Sequence, residues 1–120
     1  MNVQKLKLQM RKLLEQRAIS QQCISYRDLA SELGVTQPPV IATITGLLEE
    51  MIDEDVALKK PILSSLVVQK ANSKIPRSGF FEKINCLNVV DTSDAGFDEN
   101  VWHGTELEKL ETYYKNEFYS

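Results

Sequence analysis

Residues that build metal sites and catalytic pairs are scarce in this sequence, which holds one histidine, His103, and two cysteines, Cys23 and Cys86. The cysteines lie far apart and have no second pair beside them, so the spacing of a structural zinc site is missing. We therefore expect two free thiols, no metal and no cofactor. His103 follows Trp102 in an acidic segment with no cysteine or second histidine, so we expect it at the surface or at a helix cap.

Long apolar runs are also missing, and with them the signal of a membrane-spanning helix, which needs about 18 consecutive apolar residues. Lysine and arginine interrupt residues 1–12, where a secretory signal needs an apolar segment. The five glycines form no phosphate-binding loop, and the acids at 49–55 and 91–99 lack the spacing of a calcium loop. We predict a cytoplasmic protein that binds no membrane, and its 120 residues predict a single domain.

The formal net charge of −3 hides a strong separation of charge along the chain. Residues 1–27 carry six lysines and arginines against one acid, and residues 61–90 carry four against one. Residues 91–120 carry eight acids against two lysines. This sorting indicates either that a basic face approaches phosphate while an acidic face stays outside, or that the acidic end packs across the basic first helix.

The stretch Cys23–Leu48 contains the helix start and stop signals that are typical of a helix-turn-helix. Ser25 is placed to cap the first of the two helices, with Asp28 three residues further on. Gly34 ends this helix, because glycine takes the left-handed conformation that a helix end often requires. Its apolar face consists of Leu29, Ala30 and Leu33.

A second helix is predicted to begin near Pro38 or Pro39, with Thr36 as its candidate cap, and to run to about Lys59. Its distal half is acidic, so a DNA groove can be read only by its N-terminal turn, where Thr36, Gln37 and Thr43 lie. Its apolar residues recur as on a buried helix and are Val40, Ile44, Leu47, Leu48 and Met51.

The order of elements predicts an α+β fold that is winged-helix-like, with a short β wing and an extra C-terminal amphipathic helix. Residues 1–60 form the helical part, which contains the helix-turn-helix. Residues 61–87 hold a mostly buried strand at Ile62–Gln69, a turn at 71–74 and a wing-like basic loop. Within them, Phe80–Leu87 fits either a short helix or a second strand. Residues 88–100 form an acidic loop.

Residues 101–118 predict a final helix whose apolar side chains fall on one side. A side of this kind docks onto its own domain or forms the seam of a homodimer, because tryptophan and tyrosine are also typical of interfaces. The residues on this side are Trp102, Leu107, Leu110, Tyr114 and Phe118.

The order of these motifs resembles the winged-helix DNA-binding domain of the alkylguanine-DNA alkyltransferases and alkyltransferase-like proteins. The resemblance covers about residues 24–84 and implies the same fold and a role at DNA. It rests on Ser25-Tyr-Arg-Asp-Leu-Ala-Ser-Glu-Leu-Gly34, the helix that contains Val40, the segment Ser64-Ser-Leu-Val-Val68, and the loop Ile75-Pro-Arg-Ser-Gly-Phe-Phe81.

Matching Val67 and Val68 to the end of that family's active-site strand puts Ser64 at the position of its reactive cysteine and Ser65 at that of its histidine. Alkyl transfer needs a thiolate with a general base beside it, and two serines supply neither. A proline, at 38 or 39, also stands where the family's recognition helix carries its arginine. The comparison therefore predicts a chain without catalytic residues, which is not an enzyme.

Our leading hypothesis is DNA binding, and the competing one is a protein-interaction module that uses the same fold in a homodimer or a larger complex. Net acidity and the missing arginine favour the competitor, whereas the basic first helix and the basic loop favour DNA. An enzyme comes third. The residues expected at phosphates are Lys5, Arg11, Arg27, Lys70, Lys74 and Arg77, and those expected near base edges are Thr36, Gln37 and Thr43.

Overall fold

The computed structural model describes residues 3–70 and 74–119 of the chain. Over these residues the fold is mostly helical with a small parallel sheet of two strands, which is compatible with the α+β class. None of its helices is both long and apolar enough to cross a membrane. The elements are α1 (Val3–Ser20), β1 (Ile24–Ser25), α2 (Tyr26–Glu32), α3 (Val40–Ala57), β2 (Val67–Val68), α4 (Ser78–Cys86) and α5 (Glu99–Tyr119).

Helix α2 begins and ends where the sequence predicts. Its N-cap is Ser25, whose Oγ accepts a hydrogen bond from the backbone amide of Asp28 at 3.1 Å. Beyond its last turn, Gly34 has a φ of 74°. Glycine adopts this conformation without a side-chain clash, so the chain turns here toward α3.

Helix α3 begins without the predicted cap. Its N-cap is Pro39, which makes no side-chain cap hydrogen bond, and Thr36 is exposed in the connector. Pro39 is extended, with φ −84° and ψ 111°, and its carbonyl accepts hydrogen bonds from both the amide and the hydroxyl of Thr43, at 3.1 and 2.8 Å. The helix ends at Ala57, slightly before the predicted end, and Lys59 beyond it has a φ of 57°.

The buried strand predicted at Ile62–Gln69 is wrong for most of its length, because Leu63–Leu66 forms a 3-10 helix and only Val67–Val68 is extended. Carboxylates from two other helices bind the start of this segment. Asp55 of α3 accepts from the amide of Leu63 at 3.1 Å, and Glu106 of α5 accepts from the amide of Ile62 at 2.8 Å. These two hydrogen bonds outweigh the β propensity of the segment, and both carboxylates come from residues outside the segment.

The two strands pair in parallel, with Ser25 opposite Val68. The described part of the loop that follows β2 contains no strand, and the amide of Gln69 donates to the carbonyl of Ile75 at 2.9 Å. The turn predicted at 71–74 falls mainly on residues 71–73, which lie outside the described residues. Lys70 and Lys74 lie in this loop, and Arg77 is the N-cap of α4. The loop expected at 75–81 therefore stops at Arg77, and residues 78–81 are helical.

The segment Phe80–Leu87, for which the sequence allowed a short helix or a second strand, is helical as far as Cys86 and forms part of α4. Phe80 and Phe81 are buried in a small apolar cluster that also contains side chains of α3. Trp102 of α5 packs against this cluster, with its ring centroid 5.7 Å from that of Phe80 and 6.1 Å from that of Phe81. The start of α5 is therefore fixed to α4.

The main core lies between α1, α2, α3 and α5. The helix predicted at 101–118 is confirmed as part of α5, and its Leu110 and Tyr114 are buried in this core. The acidic half of α3, however, is the ionic partner of the basic first helix: Lys7 Nζ lies 2.6 Å from Glu54, and Arg11 lies 3.0 Å from Asp55. Helix α5 packs on α1 through apolar side chains instead.

His103 is buried, so the prediction of a surface or capping position is wrong. It is 5% exposed, and its Nε2 lies 2.7 Å from the carbonyl oxygen of Ser65. One turn further along α5, Glu106 binds the amide of Ile62. Helix α5 therefore holds the 3-10 helix near both of its ends.

Candidate nucleic-acid interface

A basic cleft of about 420 Å³ forms where the end of β1, the start of α2, the first turn of α3 and the start of α4 meet. Its cations come from three separate places: Arg27 from α2, Lys70 from the loop after β2, and Arg77 from the N-cap of α4. The lining residues are Ser25, Tyr26, Arg27, Ile41, Gln69, Lys70 and Arg77.

The register of the sheet explains why Arg27 and Lys70 share this cleft. Ser25 and Val68 are opposite each other in parallel strands, and each cation follows its strand residue by two positions. Arg27, Lys70 and Arg77 are all exposed, and none of them forms an ion pair with a described acid. Their positive charges therefore face solvent without a bound carboxylate.

Tyr26 positions Arg77 through its hydroxyl and its ring. Its hydroxyl accepts a hydrogen bond from the backbone amide of Arg77 at 3.0 Å, and the guanidinium carbon of Arg77 lies 5.6 Å from the ring centroid. Burial raises the pKa of Tyr26 above its usual 10.0, so the phenol stays neutral at physiological pH. Sequence reasoning did not assign Tyr26 a role, because its partner lies 51 residues away.

The other residues expected at DNA are spread around this cleft and beyond it. Thr36 and Gln37 are exposed in the connector before α3, and Lys74 is exposed in the loop before α4. Thr43 is half-buried, and its hydroxyl donates to the carbonyl of Pro39 at 2.8 Å. None of these four lines the cleft.

Two expected phosphate contacts lie on α1, outside the cleft. Lys5 is exposed near the start of this helix. Arg11 binds the buried carboxylate of Asp55 and also that of Glu54, both at 3.0 Å. Its charge is therefore neutralised within the fold, and of the nine expected residues only Arg27, Lys70 and Arg77 line the same cleft.

A smaller cavity of about 120 Å³ shares Tyr26 and Arg77 with the cleft. It contains Ser64, whose hydroxyl donates to the carbonyl of Leu48 at 2.8 Å. The hydroxyl of Ser65 donates to the carbonyl of Ile62 at 2.7 Å. Both serine hydroxyls are thus bonded to main-chain oxygens. The remaining lining residues are Thr45, Glu49, Ile52, Gly79 and Phe80.

The side of α5 expected either to dock or to form a dimer seam is largely used within the chain. Leu110 is 0% exposed and Tyr114 is 2% exposed, and Trp102 and Leu107 are half-buried. Phe118, at 48% exposed, is the one member of this side that is open to solvent. The homodimer stays a prediction, but it cannot use the buried faces of Leu110 and Tyr114.

No protein-family model, no curated protein and no solved structure matches this chain. Among the described residues, no group of three or more histidine, cysteine or acidic side chains is arranged to hold a metal ion. Cys23 is half-buried, Cys86 is exposed, and both are free. The interpretation of the basic cleft therefore depends on its own geometry and charge.

Proposed function

We propose that this chain is a non-enzymatic DNA-binding protein with a winged-helix-like architecture, akin to the alkyltransferase-like proteins. The observation that carries the proposal is the convergence of Arg27, Lys70 and Arg77 on one cleft beside the first turn of α3. Cations that neutralise phosphates release condensed counterions, which supplies most of the free energy of non-specific DNA binding. Lys74 is a further exposed cation and precedes Ile75, whose carbonyl accepts a hydrogen bond from the amide of Gln69 in the cleft lining.

In this proposal, α3 approaches the DNA with its N-terminal end. Thr36 and Gln37 are exposed in the connector just before this end, and hydroxyl and amide side chains are suited to hydrogen bonds with base edges. Further along the helix, Glu49 and Glu50 are exposed, and their carboxylates repel phosphates. An end-on approach keeps these acids away from the backbone of the duplex.

The start of α4 adds to the positive field at the same place. Arg77 is its N-cap, and Ser78 and Gly79 are exposed in its first turn. The first amides of a helix have no partner within the helix, and they carry the positive end of its dipole. Arg77 thus brings a guanidinium to a position where main-chain amides also favour an anion.

Two contacts support a role without alkyl transfer. The hydroxyl proton of Ser64 is directed to the carbonyl of Leu48. The imidazole of His103 contacts the main-chain carbonyl of Ser65 and not a serine hydroxyl. Since a serine becomes nucleophilic only when a base takes its proton, this arrangement does not activate Ser64.

Fluorescence anisotropy with a short labelled duplex, measured over a series of salt concentrations, tests the proposal. The double variant Lys70→Gln/Arg77→Gln is expected to bind more weakly. Its log–log salt slope should be shallower by about two units, at about 0.9 for each lost phosphate contact. The control is Lys109→Gln, which removes one positive charge from α5 outside the cleft and is expected to change neither quantity.

Two results would contradict the proposal. The first is an equal loss of affinity in the double variant and in Lys109→Gln, because the cleft would then have no special role. The second is the absence of binding to duplex and single-stranded DNA at low salt, since the electrostatic attraction is strongest there. The second result would favour the protein-interaction module.

A further inference from the structure

A second cleft, of about 370 Å³, lies between α1 and the C-terminal half of α5. It shares no lining residue with the basic cleft or with the cavity around Ser64. Acidic and aromatic side chains dominate its wall. The lining residues are Glu15, Lys60, Tyr113, Tyr114, Glu117 and Phe118.

The hydroxyl of Tyr114 has no hydrogen-bond partner among the described residues, although this side chain is only 2% exposed. A buried hydroxyl without a partner costs free energy, so nearly all such groups in proteins are bonded to protein, to water or to a ligand. Because Tyr114 lines the second cleft, a polar group held there can satisfy its hydroxyl.

Two charged groups of the same cleft form no ion pair with a described residue. Glu15 is half-buried and makes neither a hydrogen bond nor an ion pair with a described residue. Lys60 pairs with no described carboxylate, and its Nζ lies 5.8 Å from the ring centroid of Tyr113 and 5.9 Å from that of Tyr114. The cleft therefore contains an acceptor, a cation and a phenol that are not bonded to one another.

The balance of charge favours a cation in this cleft. Glu15 and Glu117 contribute two carboxylates against the single ammonium of Lys60. Burial is the main cause of the raised pKa of Tyr114, the negative charges of Asp55 and Glu15 raise it further, and the positive charge of Arg11 opposes them. The position of Lys60 over two tyrosine rings shows that an ammonium is accommodated beside these aromatic faces.

We propose that this cleft binds an organic cation that carries a primary amine or a guanidinium. The hydroxyl of Tyr114 and the carboxylate of Glu15 accept hydrogen bonds from its N–H groups, and the exposed ring of Phe118 covers its aliphatic part. Such a cation has two sources, a free polyamine or an arginine or lysine side chain of a partner protein. The shared chemistry is an N–H donor with a positive charge, next to a short aliphatic chain.

Isothermal titration calorimetry on the full chain tests this site with two probes, spermidine and the N-acetylated peptide amide Gly-Arg-Gly, whose only charge is the guanidinium. The same peptide with citrulline in place of arginine is the neutral control. At least one cationic probe is expected to bind saturably with one site per chain, while the citrulline peptide does not. Binding of spermidine alone identifies a free polyamine as the source, and binding of the arginine peptide alone identifies a partner side chain.

Variants locate the binding. Glu15→Gln removes the negative charge, Tyr114→Phe removes the hydroxyl acceptor, and both keep the shape of the side chain, so each is expected to weaken binding by about ten-fold or more. Glu99→Gln removes an exposed carboxylate from the first turn of α5, outside the cleft, and should leave affinity unchanged. The proposal is overturned if neither probe binds, which leaves water as the partner of Tyr114, or if Glu15→Gln binds as tightly as Glu99→Gln.

Discussion

Asp55 is the residue at which the buried polar contacts of α1, α3 and the 3-10 helix meet. Its side chain is 0% exposed, and it accepts hydrogen bonds from the guanidinium of Arg11 at 3.0 Å and from the amide of Leu63 at 3.1 Å. Burial raises the pKa of its carboxyl, and these two contacts oppose that shift. A buried carboxylate is tolerated here because both of its oxygens have donors.

Asp55→Ala is expected to lower the free energy of unfolding by about 3 kcal/mol, the lower end of the range for breaking a buried ion pair, because Arg11 keeps Glu54 as a partner. Urea denaturation followed by circular dichroism measures this loss. The matched control is Asp53→Ala on the same helix, which removes an exposed pair with Lys83 and should cost about 0–1 kcal/mol. Similar losses in the two variants would show that the Asp55–Arg11 contact does not stabilise the fold.

Buried His103 makes the stability of the fold depend on pH. Burial lowers the pKa of its imidazole below the usual 6.5, and the bond to the carbonyl of Ser65 opposes this shift. The unfolded chain therefore binds a proton at pH values where folded His103 does not. Its contribution to stability is complete above pH 6.5 and is lost as the pH falls toward the lowered pKa.

His103→Gln is expected to remove this dependence, because glutamine keeps an N–H donor but does not titrate. The difference in unfolding free energy between the natural chain and the variant should shrink as the pH falls from about 7 to about 5. Chemical denaturation at several pH values measures that difference, and the buried acids titrate in both chains and cancel. A difference that stays constant over this range would mean that His103 does not change its protonation on unfolding.

The helices whose sequence signals are local form where the sequence predicts them. The cap at Ser25, the left-handed Gly34 and the periodic apolar residues of α3 and α5 all act within one or two turns. The segment 62–69 does not agree, because the carboxylates that bind its amides belong to α3 and α5. Propensity describes a segment by itself and carries no information on such partners.

The candidate site depends on distant pairing in the same way. The sequence predicted Arg27, Lys70 and Arg77 as phosphate contacts. The parallel register that brings Arg27 and Lys70 to one cleft could not be predicted, because it joins strands that are far apart along the chain. The hydrogen bond that joins Tyr26 to Arg77 spans 51 residues. Arg11 shows the converse, since its basic character was visible in the sequence but its neutralisation by Asp55 was not. The sequence shows which residues are charged, whereas tertiary contacts determine which of these charges remain free to bind a ligand.

Ser25→Ala tests the cap of α2. Removing the hydroxyl that accepts from the amide of Asp28 is expected to lower the free energy of unfolding by about 1 kcal/mol. The control Ser31→Ala lies within the same helix, where the side chain is exposed, and alanine's higher helix propensity should make it neutral or slightly stabilising. Thermal or urea unfolding compares the two, and an equal effect would mean that the cap contributes nothing beyond helix propensity.

Several basic side chains pair with acids of the same chain, whereas the cations of the basic cleft do not. Lys7 and Arg11 are bound by α3, and Lys83 pairs with Asp53. These pairs remove basic residues of the first helix and of α4 from the surface available to an anion. The net charge of −3 therefore says little about DNA binding, because what a phosphate meets is the local excess of unpaired cations.

Helix α5 contacts the main core, α4 and the 3-10 helix, so we expect the fold to require it. Leu110 and Tyr114 fill the core next to α1, Trp102 packs on α4, and Glu106 with His103 holds the 3-10 helix. Deleting residues 101–120 exposes this core and leaves buried main-chain groups without partners. We expect the truncated chain to unfold or aggregate, as judged by circular dichroism and size-exclusion chromatography.

A point variant measures the same contribution without removing a helix. Leu110→Ala is expected to cost about 2–5 kcal/mol, since the side chain is 0% exposed, and Leu107→Ala should cost less because its side chain is half-buried. Burial within one chain predicts that the melting temperature does not depend on protein concentration, whereas a dimer seam makes it rise with concentration. A truncated chain that stays monomeric and melts like the full chain would mean that α5 is a dispensable appendage, and the contacts of Leu110 would then add nothing to stability.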